Sequence, residues 1–264
     1  MPDFEKNEKP IPDSIYGPVD SWRLGKSLGV DLLCIDSICS FECVYCQLGK
    51  INQVIFERRE FIPTTKILDD LKNSDWKTAD VITISGSGEP TLALNLGDAI
   101  SEIRKFTNKP VVVLTNSTLL ENPSVRAEIS LADKVFCKLD AWSDEILRRV
   151  DRPHRDVSLK SIIAGIRSLR EEYPGFLAIQ SMILRVPKHD QIKRFAEILR
   201  SIAPDEVQLN VPTRPIPESY FLETRGNAVE TNADFKTLKT ISKAELNAVA
   251  EKLAALTNLN VISR

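Results

Sequence analysis

Short runs of aliphatic and β-branched residues alternate with longer amphipathic stretches along most of the chain. This alternation is typical of a largely parallel β-sheet with helices packed outside it. The apolar runs predict strands at residues 27–33, 80–85, 110–115, 134–140, 176–184 and 206–210. The amphipathic stretches predict helices at residues 64–73, 95–106, 143–150, 158–172 and 191–202.

These successive β/α steps fit two α/β architectures, an open doubly wound sheet or an incomplete barrel of the TIM type. Hydrophobic periodicity does not separate the two. In both, the loops after the carboxyl ends of the strands form the active edge, so the chemistry is expected there.

The ends of the chain differ from this pattern. Proline-rich residues 1–15 predict an extended N-terminal arm, residues 16–230 the core, and residues 231–264 a C-terminal helix and strand. The helix is indicated by a capping box, Ser242 with Glu245 three residues later, and the strand by residues 259–263. Residues 54–62 predict an extra strand or hairpin.

Composition narrows the class of protein. The chain has 264 residues, 42% of them hydrophobic, which excludes intrinsic disorder and a small disulfide scaffold. With 35 Lys and Arg against 37 Asp and Glu, the net charge of −2 argues against nucleic acid as the main partner. No segment has the length and apolarity of a transmembrane helix or a signal peptide, so we expect a soluble, cytoplasmic protein without a membrane partner.

Three of the five cysteines, Cys39, Cys43 and Cys46, form a C-x3-C-x2-C triplet directly after the first predicted strand. This concentration is atypical of a disulfide framework in a chain of this length. A disulfide with a spare thiol, or three buried structural cysteines, remains as the alternative without a cofactor.

A metal centre explains the triplet better, and two kinds are open. Zinc needs a fourth ligand, for which the chain offers His154, His189, Cys34 and Cys137. An iron–sulfur cluster of four irons held by three thiolates leaves one iron open to a ligand. That arrangement favours a catalytic role.

The segment Cys39-Ser-Phe-Glu-Cys43-Val-Tyr45-Cys46 resembles the cluster motif of the radical S-adenosylmethionine (SAM) superfamily, including the aromatic residue before the third cysteine. After the second predicted strand, Gly86-Ser87-Gly88-Glu89 is similar to the Gly-Gly-Glu stretch of that superfamily, with Ser87 where the second glycine often lies. The resemblance covers most of the chain and implies a partial (β/α)6 TIM-like barrel. Alone, the glycine segment would be a weak signal, because glycines after a strand also form ordinary turns.

The resemblance implies a reaction and its cofactors. The three cysteines would bind a 4Fe–4S cluster, whose open iron is chelated by SAM, while the backbone of the glycine loop holds the methionine amine. One electron would cleave SAM to a 5′-deoxyadenosyl radical that abstracts hydrogen from a substrate, here a small molecule, a peptide or tRNA. A reduced flavodoxin or ferredoxin is the implied electron donor.

Polar residues at the ends of later strands complete the predicted cofactor pocket. Asn116 follows the third strand, Asp140 ends the fourth, and either Gln180 or Ser181 in the fifth faces the pocket. Strand alternation places Lys138 and Asp140 on one face. The alternative for each polar residue is a structural contact such as a helix cap.

One branch of the superfamily shares more with the chain. Residues 16–31, Asp151-Arg-Pro-His154 and residues 208–215 are similar to segments of wyosine-synthase-like proteins. In that branch the resemblance implies a tRNA substrate, a lysine that engages a co-substrate, for which Lys26 and Lys50 are candidates, and a second cluster.

The cysteine count limits this extension. A second cluster would need three further cysteines, and only Cys34 and Cys137 remain. Arg23 and Arg214, in the segments similar to that branch, admit two interpretations, a salt bridge that closes the barrel or a contact to substrate. We therefore leave the substrate unassigned.

A second hypothesis is a non-catalytic zinc- or cluster-binding module that docks RNA. Its support is the local basic cluster over residues 148–155, which otherwise indicates a solvated helix end.

Overall fold

Alternating strands and helices build the fold, as the sequence predicts. The computed structural model describes residues 11–226 and 234–264. Its strands are β1 Ile15–Ser21, β2 Gly25–Val30, β3 Ile38–Cys39, β4 Gln53–Val54, β5 Val81–Ile84, β6 Val111–Thr115, β7 Lys134–Lys138, β8 Phe176–Met182, β9 Glu206–Asn210, β10 Ile216–Pro217, β11 Phe235–Lys236 and β12 Val261–Ser263. Its α-helices are α1 Thr64–Lys72, α2 Leu96–Phe106, α3 Pro123–Ile129, α4 Asp144–Val150, α5 Leu159–Glu172, α6 His189–Ile202 and α7 Lys243–Thr257.

The main sheet has eight strands in the order β1-β2-β5-β6-β7-β8-β9-β12. The six predicted strands, β2 and β5 to β9, pair in parallel and in chain order. β1 adds antiparallel to β2 at one edge, and β12 adds parallel to β9 at the other. The strands follow chain order without the reversal of a doubly wound sheet, as in a TIM-type barrel. Because β1 and β12 are two free ends, the barrel is incomplete, which confirms the predicted fold class.

Apolar residues line both faces of the sheet because its strands are buried between layers. The large core lies between the strands and the helices and includes Ile82, Ile166 and Phe195. A smaller cluster fills the concave face and includes Val112 and Phe136. The carboxyl ends of the strands are therefore left free for polar side chains.

Helix starts follow local sequence signals. The predicted capping box is confirmed: the Ser242 N–H donates to Glu245 Oε2 at 2.8 Å, and the Glu245 N–H donates to Ser242 Oγ at 3.3 Å. Ser158 caps α5 in the same way. These contacts satisfy N–H groups that a helix cannot bond internally.

One local expectation holds only in part, and two features were not predicted. Residues 54–62, predicted as an extra strand or hairpin, form no hairpin; an extra strand exists only as β4, which pairs in parallel with β3 and includes Val54, and Arg59 makes a single bridge to Ala93. The start of the core at β1, antiparallel to β2, was not predicted. Helix α3 was also not predicted, although its Asn122 N-cap and Pro123 are recognisable signals.

The predicted domain boundaries stay a prediction, since residues 1–10 and 227–233 lie outside the described residues. The C-terminal segment contributes β12 to the main sheet and packs α7 against α6. None of the described helices has the length and hydropathy needed to cross a membrane.

Candidate active site

The cysteine triplet lies in the loop between β2 and α1, at the carboxyl edge of the sheet. Its backbone is bonded to the glycine loop that follows β5: the Ile38 N–H donates to Ser87 O, and the Glu89 N–H donates to Ile38 O, both at 3.1 Å. The two predicted motifs are therefore neighbours, as their shared edge implied.

The three thiols are half-buried and free. Cys39 Sγ accepts from the Phe41 N–H at 3.4 Å and from Asn116 Nδ2 at 3.5 Å. Burial raises the pKa of Cys39, Cys43 and Cys46, and neighbouring thiolates add to the rise at Cys39 and Cys43. A metal centre bound here would displace these protons.

The described residues offer no group of three or more Cys, His, Asp or Glu placed to hold a metal ion. The donor set itself, three thiols on one loop, is the set that iron–sulfur clusters use. Cys34 and Cys137 are fully buried in the core, where burial raises the pKa of each to about 12.

The glycine loop is closely packed within the protein. A Cβ on Gly86, whose φ is +156°, would lie 2.3 Å from Asp31 Cγ, and a Cβ on Gly88 would lie 1.6 Å from Ile38 O. Ser87 is fully buried, and its N–H and Oγ donate to Asp31 at 2.9 and 3.1 Å. The loop thus needs Gly88 for its close approach to the backbone of Ile38, and Gly86 to leave room for the side chain of Asp31.

Glu89, at the end of the glycine loop, joins it to the loop after β6. Its Oε1 accepts from the Thr91 N–H, the Thr91 hydroxyl and the Thr115 hydroxyl, and its Oε2 accepts from the Asn116 N–H at 2.6 Å. Burial raises the pKa of Glu89, and these hydrogen bonds only partly offset the rise. The carboxylate is 2% exposed, so direct contact of Glu89 with a cofactor stays a prediction.

Asn116 lies where the sequence placed it, at the end of β6. Its Nδ2 donates to Ser40 Oγ at 2.8 Å as well as to Cys39 Sγ, and its Oδ1 accepts from Thr118. Asn116 therefore contacts the cysteine loop through its side-chain amide and Glu89 through its backbone N–H.

Tyr45 brings two carboxylates together beside the second cysteine. Its hydroxyl donates to Asp140 and lies 3.2 Å from Asp151 Oδ1, which also lies 3.5 Å from Cys43 Sγ. Burial and the charge of Asp140 raise the pKa of Asp151 well above its usual range. Asp151 Oδ2 is buried and has no partner among the described residues.

Lys138 balances this cluster. Its Nζ lies 3.2 Å from Asp140 Oδ2 and 4.8 Å from the centre of the Tyr45 ring. Burial opposes the charge of Lys138, but Asp140, Cys43 and Asp151 together raise its pKa. Lys138 and Asp140 therefore share a face, as strand alternation predicts.

The choice between Gln180 and Ser181 depends on which face of β8 each occupies. Gln180 alternates with Ala178 of the concave cluster, and its Nε2 donates to Gln208 on β9 at 3.0 Å. Ser181 alternates with Ile179 of the helix-side core, and its hydroxyl donates to Leu139 O. Gln180 is thus the member of the pair on the face of Lys138, while Ser181 makes a structural contact.

A cavity of about 910 Å³ opens beside these groups. Cys43, Asp140 and Met182 form part of its wall, and its outer wall includes Arg149 and Ile216. Of the predicted cofactor and metal residues, Cys43 and Asp140 line it, and so does Lys50, one of the two candidate lysines.

Asp31 is a site residue that sequence reasoning missed. Besides Ser87, it accepts from the Leu33 and Cys34 N–H groups and from Arg225 Nη1 at 2.9 Å. The available signal was a carboxylate at a strand end, but the predicted strand extended past it to residue 33. Asp151 was quoted in a motif, and its contact with Tyr45 was not foreseen.

Comparison with known proteins identifies relatives over most of the chain. A sequence model of the Radical SAM superfamily matches residues 35–200. The UPF0026 protein slr1464 of Synechocystis sp. is 45% identical over 253 residues, which cover 94% of this chain and 95% of that protein. The UPF0026 protein MJ1312 of Methanocaldococcus jannaschii is 37% identical, over 78% of this chain and 65% of that protein.

Solved structures share the fold at low sequence identity. SuiB of Streptococcus suis, in the structure with its precursor peptide SuiA, matches with a TM-score of 0.62 and 14% identity, over 89% of this chain and 48% of SuiB. The structure of SuiB bound to S-adenosylmethionine matches with a TM-score of 0.59 and 13% identity, over 89% of this chain and 46% of that chain. The chain thus spans about half the length of SuiB.

Proposed function

This chain belongs to the radical SAM superfamily, and we propose that it is an enzyme that cleaves SAM reductively at a 4Fe–4S cluster held by Cys39, Cys43 and Cys46. A cluster bound there would supply one electron that breaks the S–C5′ bond of SAM and releases methionine, and the 5′-deoxyadenosyl radical would become 5′-deoxyadenosine by taking a hydrogen atom from the substrate. The observation that carries the proposal is the backbone pairing of the cysteine loop, through Ile38, with the glycine loop at residues 87–89. It brings the thiols and the loop expected to hold SAM to one edge of the sheet.

The surrounding residues support these roles through their contacts. Asn116 and the Phe41 N–H donate to Cys39 Sγ, and hydrogen bonds to cysteine sulfur tune the potential of an iron–sulfur cluster. Asp31 holds the glycine loop by accepting from the Ser87 N–H. Glu89, the last residue of that loop, holds it by accepting from the Asn116 N–H.

The polar cluster beside the cavity is the second element of the proposal. Asp151 lies 3.5 Å from Cys43 Sγ, and the Tyr45 hydroxyl links it to Asp140. Asp140 lines the cavity with Cys43, where its carboxylate can accept hydrogen bonds from a ribose or an amino group. The half-buried Gln180 extends the polar strip along the concave face. Ser87, Gly86, Gly88 and Ser181 contribute as parts of the loop and strand that position these groups.

We leave the substrate unassigned, and the wyosine-synthase-like branch stays a prediction. A reduced flavodoxin or ferredoxin is the proposed electron donor, and a cytoplasmic location is proposed because the reduced cluster requires such a donor. The RNA-docking module is not proposed, because no described contact favours RNA over the SAM site.

Metal analysis of cysteine variants tests the assignment of the ligands. After anaerobic reconstitution with iron and sulfide, the wild-type chain should bind close to four irons and four acid-labile sulfides per chain. Cys43→Ala should lose most of both, because it removes one of the three thiols on the loop. Cys34→Ala and Cys137→Ala remove thiols outside the loop and should retain wild-type iron and sulfide. Equal iron and sulfide in Cys43→Ala and wild type would overturn the ligand assignment.

A further inference from the structure

Arg23 and Arg264 meet at the opening of the incomplete barrel, and Arg214 is close enough for its charge to act on Arg23. Arg23 lies in the turn between β1 and β2, Arg214 follows β9, and Arg264 follows β12. The guanidinium groups of Arg23 and Arg264 lie 5.0 and 5.6 Å from the centre of the Trp22 ring. Trp22, which follows β1, therefore contacts Arg264, which follows β12, so the two edges of the sheet approach each other here.

Within residues 11–226 and 234–264, no Asp or Glu side chain forms an ion pair with this arginine cluster. None of Arg23, Arg214 and Arg264 has a carboxylate oxygen within 4.0 Å in that part of the chain. Arg23 Nε is buried and has no hydrogen-bond partner there. The salt-bridge interpretation of Arg23 and Arg214 is therefore not supported.

The like charges affect one another. Burial, together with the charges of Arg214 and Arg264, lowers the pKa of Arg23 to about 10. Asp20 and Asp80 line an adjoining cavity of about 380 Å³ with Trp22 and Arg264, yet neither pairs with an arginine of the cluster. A buried donor among uncompensated like charges is costly unless an anion pairs with it.

The arginine cluster borders the cysteine loop. Arg214 Nη1 donates to Gln47 Oε1 at 2.6 Å, and Gln47 directly follows Cys46. An anion held by Arg214 would thus lie beside the loop that carries the three thiols.

We propose that Arg23, Arg214 and Arg264 bind an oxyanion, the carboxylate or phosphate group of the substrate, at the open edge of the barrel. The planar guanidinium fork matches both groups, and hydrogen bonds between charged partners are about twice as strong as neutral ones. That the anion belongs to the substrate rests on the proposed function, whereas anion binding itself does not.

Binding of inorganic phosphate and of acetate to the full chain tests the proposal. At matched ionic strength, with chloride as the reference anion, at least one of the two should raise the Tm and change the fluorescence of Trp22. A tighter response to phosphate indicates a phosphate group on the substrate, and a tighter response to acetate indicates a carboxylate. Trp22→Phe should lose the fluorescence change and keep the shift in Tm. If neither anion has an effect beyond that of chloride, the proposal fails.

Variants assign the response to the cluster. Arg23→Gln and the exposed Arg214→Gln should each weaken anion binding about tenfold or more, since each removes a charged donor. Arg167→Gln, which removes an exposed arginine on α5, should bind as wild type does. Wild-type affinity in both Arg23→Gln and Arg214→Gln would overturn the proposal.

A structural role makes a different prediction. Without added anion, Arg23→Gln should be at least as stable as wild type, because it removes repulsion from Arg214 and Arg264. A clear loss of stability without anion would instead indicate a structural pairing and would contradict the proposal. Cys43→Ala should keep phosphate or acetate binding, so failure of anion binding and failure of SAM cleavage are distinguishable.

Discussion

Glu89 shows how one buried residue can hold two loops of the site. Its two carboxylate oxygens accept four hydrogen bonds, from groups on Thr91, Thr115 and Asn116. Because Asn116 also contacts Cys39 Sγ, Glu89 acts on the cysteine loop through its neighbour. We therefore regard Glu89 as a positioning residue.

Replacing this carboxylate tests that role. In Glu89→Gln, an amide N–H₂ must face one of the donors, because glutamine has only one side-chain oxygen. We expect a loss of about 1–3 kcal/mol in the free energy of unfolding, measured by urea denaturation. Glu102→Gln, which breaks only an exposed pair with Lys105, should change it by less than about 1 kcal/mol. Equal stability of Glu89→Gln and wild type would show that the four contacts contribute little.

At the scale of elements, the hydrophobic pattern predicted the strands and helices that depend on local sequence. The six parallel strands and the Ser242 capping box follow from periodicity and cap chemistry. Helix α3 was missed although it is as long as the predicted helix α4, seven residues, and begins with the Asn122 N-cap and Pro123. Of the strand or hairpin expected at residues 54–62, the hairpin is absent and the strand is limited to β4, because this segment leads from the cysteine loop to α1 and pairs only briefly with β3.

The sequence predicted those parts of the site whose residues lie close together along the chain. The three cysteines and the glycine loop were found from short motifs, and their shared edge followed from the β/α order. The contact of Asp31 with Arg225 joins residues 194 positions apart, and such a pairing leaves no local pattern. The same holds for Asp151 beside Tyr45, 106 positions away.

The close approach of two loops can be tested at Gly88. A Cβ there would lie 1.6 Å from Ile38 O, so Gly88→Ala must push the cysteine and glycine loops apart. We expect a loss of about 2 kcal/mol or more in stability and a fall in reconstituted iron content. Gly226→Ala is the matched control, because its Cβ would meet nothing closer than 3.7 Å and should be tolerated. If Gly88→Ala bound iron and unfolded as the control does, the loop contact would be dispensable.

For the whole molecule, net charge and local charge give different information. The net charge of −2 governs long-range steering and argued against nucleic acid. The cavity beside Cys43 nevertheless has Lys50, Arg149 and Arg185 in its wall, and the arginine cluster lies at the barrel opening. An overall balance of charge is therefore compatible with local recognition of a small anion.

Cleavage of SAM by the reconstituted protein is the most direct test of the central claim. Under anaerobic conditions with dithionite and SAM, we expect the wild-type chain to release 5′-deoxyadenosine, quantified by liquid chromatography. Cys43→Ala should release none above the level without protein, and Cys34→Ala should release it as wild type does. Release of 5′-deoxyadenosine by Cys43→Ala at the wild-type rate, or none from a wild-type protein with a full complement of iron and sulfide, would contradict the account.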